Sequence, residues 1–333
     1  MSSRELNQNT EKTTARKILA VVFAAVFVIS IAFFLIEMWE KKHGAFEGSF
    51  VATSSDLSYN GKEYKLKDNV ETVLVLGLDK FETEDSGYNN DKQADFLMLL
   101  VIDNLAQTCK AVQINRDTMA EMDVLGVAGD KIGTITQQIA LSHTYGNGKE
   151  VSCRNTANAV SDLLLGVQID HYVSVTMEAV TVYNDFIGGV TLELLDDFSM
   201  IDPAMVKGAQ VKLNGEQALK YVRSRYGLDD PTNINRMERQ KQYLQALYEQ
   251  SVALAENDAG FIQDAALKLT QYIVSDCSGN KLQSLLESIS DYEFNTILGI
   301  AGDSVKGESH MEFYLDESSV KEVVIECFYE EKN

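Results

Sequence analysis

Proline is nearly missing from this chain, with two in 333 residues beside 21 glycines and a single tryptophan. That composition argues against a disordered or repeat-driven chain, and no internal period is visible. Histidine is scarce too: His43, His143, His171 and His310 stand in no HExxH arrangement. Neither a GxxxxGKS/T phosphate loop nor a GxSxG elbow occurs. A histidine-based hydrolase is left without support, and His143 and His171 read as helix-face or strand-end residues rather than ligands. Positive charge is short as well, 29 Lys+Arg against 50 Asp+Glu, a net charge of -21. General nucleic-acid affinity comes mainly from neutralising phosphates, so no nucleic-acid partner is expected, although a local basic cluster could hold one phosphate group. The four cysteines, Cys109, Cys153, Cys277 and Cys327, are spaced far from any zinc pattern. Three full disulfide pairings and buried free thiols all stay open.

What the chain does contain begins with "ILAVVFAAVFVISIAFFLI", Ile18–Ile36, uncharged and interrupted only by Ser30. It is long enough to cross a hydrocarbon core as a helix. It runs into Glu37, Met38 and Trp39 with no small-residue cleavage site, which reads as a retained anchor. Arg4, Lys12, Arg16 and Lys17 precede it and Lys41 and Lys42 follow. This bias places the N-terminus in the cytoplasm and everything beyond about residue 40 outside, where disulfides are permitted. The expected organisation is a cytoplasmic tail over 1–17, a transmembrane anchor over 18–39 and an extracellular stalk over 40–68. A catalytic domain over 69–256 and an extension over 257–333 packed on it complete the chain.

Within the stalk, Asn60–Gly61 lies between alternating residues and predicts a short hairpin. "TVLVLGLD" (72–79), "ADFLMLLVID" (94–103) and "CKAVQINRD" (109–117) read as strands. Folding the last two about residue 106 sets Asp95 beside Arg116 and Asp117, and similar pairing of the first brings Asp79 to the same edge. "TQQIALSHTYG" and "CRNTANAVSDLLLG" have helical spacing, the second stopping at Gly166. "DHYVSVT" and "VTLELLDD" are strands around the helix "EAVTVYNDFIGG". Asn214 with Gln217 approaches a capping box, and a long helix from about Arg236 to Glu256 buries Met237, Leu244, Leu247 and Leu254. Alternating strands and helices predict an α/β fold, a mixed central sheet with helices on both faces.

The chemistry lies in carboxylates and guanidiniums. Asp79 and Asp95 offer hard oxygen ligands suited to Mg²⁺, which binds through one or two carboxylates together with substrate phosphates. "VRSRYGLDDPTNINRMERQ" gathers Arg223, Arg225, Arg236 and Arg239, whose planar forks match phosphate oxygens. Together they suit a diphosphate-handling site, while each residue alone is also an ordinary surface aspartate or helix-face arginine.

Seven segments in this order, "VLVLGLDK", "QADFLMLLVID", "INRDTM", "LLLGVQIDHYVSV", "NDFIGGVTLEL", "LNGEQALKYVRSR" and "NRMERQ", run from about Val73 to Tyr248 behind one membrane anchor. They resemble the LytR-CpsA-Psr family of wall-polymer ligases. The resemblance implies a bacterial enzyme on the outer face of the cytoplasmic membrane, attaching teichoic acid or capsule. It would move the glycopolymer from a polyprenyl diphosphate carrier to a peptidoglycan hydroxyl through a phosphodiester link. It implies Asp79 and Asp95 as metal acids, Arg116 as the catalytic arginine and Asp117 as the partner that orients an arginine. It implies Arg223, Arg225 and Arg236 on the diphosphate, completed by Arg239 and Gln240. The chain departs from the family pattern at Lys80 and Gln93, where arginines are usual, and at Asn115, usually proline. It departs again at Asn233 and Asn235, usually aspartate and glycine. The same residues also suit a lipid pyrophosphatase, or a non-catalytic membrane-anchored binder that regulates lipid-linked envelope precursors.

Overall fold

Leucine- and valine-rich runs with turn residues between them become strands that pair across short connections. The computed structural model describes residues 56–80, 92–126, 128–224, 233–258, 260–278, 281, 292–308 and 310–332. The expected tail and anchor lie outside them, as does the stalk up to residue 55. Among the described residues no helix is long and apolar enough to cross a membrane. The chain divides into two compact units. The first described here is built from residues 42–176, 274–276 and 295–333, and the second holds 177–273 and 277–294.

The first unit opens with β1 (Asp56–Tyr59) and β2 (Lys62–Leu66). Asn60 and Gly61 both take left-handed backbone, φ 51° and 76°, the conformation a two-residue hairpin turn needs and this dipeptide supplies cheaply. The central sheet starts with β3 (Val70–Leu78), β4 (Ala94–Asp103) and β5 (Thr108–Ile114) in consecutive antiparallel pairing. Leu97 sits opposite Ile114, the register expected from folding about residue 106.

Next come β6 (Met119–Leu125) and β7 (Lys131–Gln138), a hairpin where helical spacing was expected to begin. The exposure along β7 alternates, with Thr134, Ile135 and Thr136 adding β-branched residues, so the strand period prevails up to Gln138. Only then does a 3-10 turn, Ile139–Thr144, form. Helix α1 (Glu150–Leu163) follows and ends through Leu165 and Gly166, both left-handed, with Gly166 N–H donating to the Ser161 carbonyl at 2.8 Å. It leads to β8 (His171–Thr176), parallel to β3.

One cluster unites Leu74, Leu76, Leu97, Leu99, Val112 and Ile114 of the sheet with Cys153, Ala157 and Val160 of α1. The tail contributes more than an appendage. The sheet runs β11-β8-β3-β4-β5-β12, and both edges, β11 (Ile273–Ser275) and β12 (Glu293–Gly299), come from beyond residue 257. β13 (Gly302–Lys306) and β14 (Met311–Leu315) form a separate hairpin. The last helix (Glu317–Phe328) adds Val320, Val323 and Val324 to the same core, and β15 (Tyr329–Glu331) pairs with β2. The expected stalk hairpin is therefore sewn into a three-stranded sheet, and the two compact units interleave along the chain. All four cysteines are buried thiols outside any disulfide, so the thiol reading holds over the disulfide pairings.

In the second unit, α2 (Glu178–Phe186) stops at Gly188 and Gly189, and a Cβ on Gly189 would lie 2.6 Å from the Leu213 carbonyl oxygen. β9 (Val190–Glu193) and β10 (Gln210–Leu213) pair antiparallel. α3 (Gly215–Arg223) begins with the expected capping box: Asn214 Oδ1 accepts from Gln217 N–H at 2.9 Å, and Gln217 Oε1 from Asn214 N–H at 3.0 Å. α4 (Asn233–Asn257) and α5 (Phe261–Leu269) follow, with Tyr243, Leu247, Tyr248, Phe261 and Ala265 buried. The chain is thus a mixed α/β protein whose central mixed sheet is flanked by helices.

Candidate functional site

The β4–β5 register continues to the strand ends and delivers Asp95 to Arg116. The Arg116 guanidinium donates through Nη1 to Asp95 Oδ1 and through Nη2 to Gln93 Oε1, and its Nε lies 3.4 Å from Asp117 Oδ1. Three side chains thus grip one planar fork and leave Arg116 only 7 % exposed. The turn carrying it is built locally. Asn115 Oδ1 accepts from Asp117 N–H at 3.0 Å, an Asx turn, and Thr118 N–H donates to the Asn115 carbonyl at 3.0 Å. A proline at this position could not supply that acceptor, which gives the asparagine a definite task. Gln93 likewise does what an arginine could not, accepting from Arg116.

Asp117 is held from the tail side. Gln138 Nε2 donates to Asp117 Oδ1 at 3.0 Å and to the Met311 carbonyl at 2.7 Å. Phe313 N–H donates to the Asp117 carbonyl at 2.9 Å. The half-buried Asp79 follows Leu78, whose partner across a β-bulge is Ala94, so Asp79 arrives at the strand edge that carries Asp95. Asp79 and Asp95 offer hard carboxylate oxygens of the kind a divalent cation takes together with substrate phosphates.

The second unit holds the other predicted residues. Arg223 is exposed at the end of α3, Arg225 lies outside the described residues, and Arg236 is buried in the first turn of α4. Arg239, expected on the diphosphate, is 0 % exposed and spends its donors inside the protein. Its Nε donates to the Tyr221 carbonyl at 2.9 Å, Nη2 to the Ser224 carbonyl, and Nη1 to Asp196 Oδ2 at 2.5 Å. Phe198 and Tyr221 lie against the guanidinium with centroids 5.4 and 5.9 Å away. Gln240 Nε2 donates to the Val222 carbonyl at 3.1 Å. Arg239 and Gln240 therefore satisfy the carbonyls left unpaired where α3 ends. They fix the chain that carries Arg223.

Asp196 was missed in the sequence, although strict in-out alternation from Val190 to Phe198 puts it on the buried side. Asn235, at a position where glycine is usual, brings its amide to both Asp196 oxygens, at 3.2 and 3.0 Å. Gln93 and Gln138 were also missed as partners of the Arg116 turn. Glutamines carry no signal in sequence that separates a buried acceptor from a surface residue.

The LytR_cpsA_psr family model matches residues 41–325. A polyisoprenyl-teichoic acid–peptidoglycan teichoic acid transferase, TagU of Halalkalibacterium halodurans, is 30% identical over 195 residues, 58% of this chain and 58% of the relative. TagU of Enterococcus faecalis, under the same description, is 24% identical over 278 residues, 81% of this chain and 82% of the relative. In fold, the crystal structure of B. subtilis TagV matches with a TM-score of 0.58 at 24% identity, covering 79% of this chain and 97% of that one.

Proposed function

This chain belongs to the LytR_cpsA_psr family, and from that premise we propose that it transfers a glycopolymer from a polyprenyl diphosphate carrier to a hydroxyl of peptidoglycan. The observation that carries this reading is Arg116, held between Asp95, Gln93 and Asp117 at the sheet edge that also receives Asp79. A guanidinium fixed before the substrate arrives stabilises charge developing on phosphate oxygens without reorganising. The acceptor hydroxyl oxygen bonds the polymer-side phosphorus and gives up its proton to solvent as the bond to the bridging oxygen breaks, and polyprenyl monophosphate leaves with that oxygen. Asp117, itself held by Gln138, keeps Arg116 oriented. Arg223, Arg225 and Arg236 are assigned to the carrier's phosphates, with Arg239 and Gln240 ordering the segment that presents Arg223.

Asp79 and Asp95 are the residues that would hold Mg²⁺, and the chemistry it supplies when bound is neutralisation of phosphate charge. The run Ile18–Ile36 supports a single anchor at the cytoplasmic membrane with the described units on its outer side.

The test is transfer by the purified full-length chain from a lipid-linked wall polymer to peptidoglycan fragments. Arg116→Ala is expected to lower turnover by roughly a thousandfold, the range for losing a fixed donor to developing charge. Unchanged turnover would sink the assignment of Arg116. Release of lipid phosphate at the same rate with and without peptidoglycan would replace transfer by hydrolysis, and bound donor without turnover would leave a binder.

A further inference from the structure

One helical turn braces both halves of the Arg116 pair, and His143 sits on it. At the start of this turn, Ile139 N–H donates to the Thr118 carbonyl at 2.7 Å and Ala140 N–H to the Arg116 carbonyl at 3.2 Å. At its end, His143 Nδ1 lies 2.8 Å from the Lys92 carbonyl oxygen, just ahead of Gln93 and Asp95. A carbonyl only accepts, so Nδ1 carries the ring proton and Nε2 is the acceptor. Facing Nε2 is the Cys153 thiol, 3.5 Å away, whose S–H donates to it.

Both residues are 0 % exposed. Burial brings the histidine down to about 4 and the thiol up to about 12, so both stay neutral near pH 7. The turn is tied to α1 as well: the Ser142 and Thr156 hydroxyls are hydrogen-bonded at 3.0 Å, and Asn155 Nδ2 donates to the Ser142 carbonyl at 2.8 Å. A rigid piece therefore connects the backbone of Arg116 to the backbone ahead of its partners.

We propose that His143 is a positioning residue for the Arg116 centre: its Nδ1–H holds the Lys92 carbonyl and thereby sets Gln93 and Asp95 against the guanidinium. The catalytic part of this inference rests on the reading of Arg116 given above. The histidine itself stays away from the reacting atoms.

Arginine-selective labelling by phenylglyoxal, followed by peptide mass spectrometry on the full-length chain, reads the grip on Arg116 directly. Arg154 on α1 serves as internal reference. His143→Asn keeps an N–H at the δ position, His143→Gln moves it to the ε position while matching the lost volume better, and His143→Ala removes it. Labelling of Arg116 is expected to rise roughly fivefold in the Ala and Gln variants, the effect of one lost hydrogen bond, and to stay near the parent in the Asn variant. Transfer should follow the same order through kcat, with KM unchanged. Equal labelling in all four proteins, better retention by Gln than by Asn, or a parallel rise at Arg154 would each overturn the proposal. Labelling needs no turnover. A parent chain that shows this pattern but transfers nothing would defeat the transferase reading and leave the positioning role standing.

Discussion

Arg116 and Arg239 each meet a carboxylate inside their own unit, yet their surroundings differ in kind. Arg116 is gripped by three side chains, Asp95, Gln93 and Asp117, and none of these bonds is needed to close a helix or a strand. Arg239 is gripped by two backbone carbonyls, an aspartate that is itself 3 % exposed, and two aromatic faces. Nothing in that shell can exchange without unmaking the end of α3. An arginine's place in a motif therefore does not say whether its fork faces a ligand; the exchangeability of its partners does.

The sharpest way to break this comparison is Arg239→Ala. It leaves the Asp196 charge buried and orphans carbonyls at the α3 terminus, so stability should fall by about 3–5 kcal/mol in denaturant titrations. An unshifted midpoint would show that Arg239 is not the anchor described. Pairing Asp196→Leu with Arg239→Met should recover most of the loss, because an apolar pair replaces both charges.

Acid separates the units next. All four histidines lie outside residues 177–273 and 277–294. His143 is depressed by burial to about 4 from 6.5, so the unfolded chain binds more protons between those values and stability is lost as pH falls through that window. The contribution is on the order of 3 kcal/mol. Hydrogen exchange followed by peptide, corrected for intrinsic rates, should show the unit of His143 loosening from pH 6.5 towards 4 while α2 through α5 hold. His143→Asn should flatten that response, and a pH profile identical in parent and variant would refute the link.

The smallest change is Asn214→Ala, which removes the capping box in the unit of Arg239 without touching its network. About 1 kcal/mol of stability should go, read as a shift in midpoint at constant slope. A loss as large as that from Arg239→Ala would mean that helix ends in this unit fail as one cooperative block.

Local patterns were legible in the sequence wherever few residues decide the geometry. Asn60–Gly61, the Asn214–Gln217 box and the Gly188–Gly189 stop each act within one turn, and the Asp95–Arg116 register follows from one short connection. The β6–β7 hairpin was hidden because Lys131–Gln138 is polar on both sides and offers no apolar run. The sheet edges were hidden because pairing of β11 and β12 depends on contacts across about a hundred residues or more. Arg239 could be placed on a helix by spacing, but spacing cannot tell which direction a guanidinium points. The departures from the family pattern at Gln93, Asn115 and Asn235 looked like losses, and each turns out to accept or donate a bond that the usual residue could not.

The origin of the sheet edges also sets a timetable. The four inner strands are complete once residue 176 has been made, but both flanks wait for residues 273–299. At about 5–20 residues per second, that interval is on the order of ten seconds. For that time β8 and β5 present open backbone to any neighbouring chain. A nascent molecule is thus at its stickiest halfway through its own synthesis, and a truncation before residue 273 would leave it in that state for good.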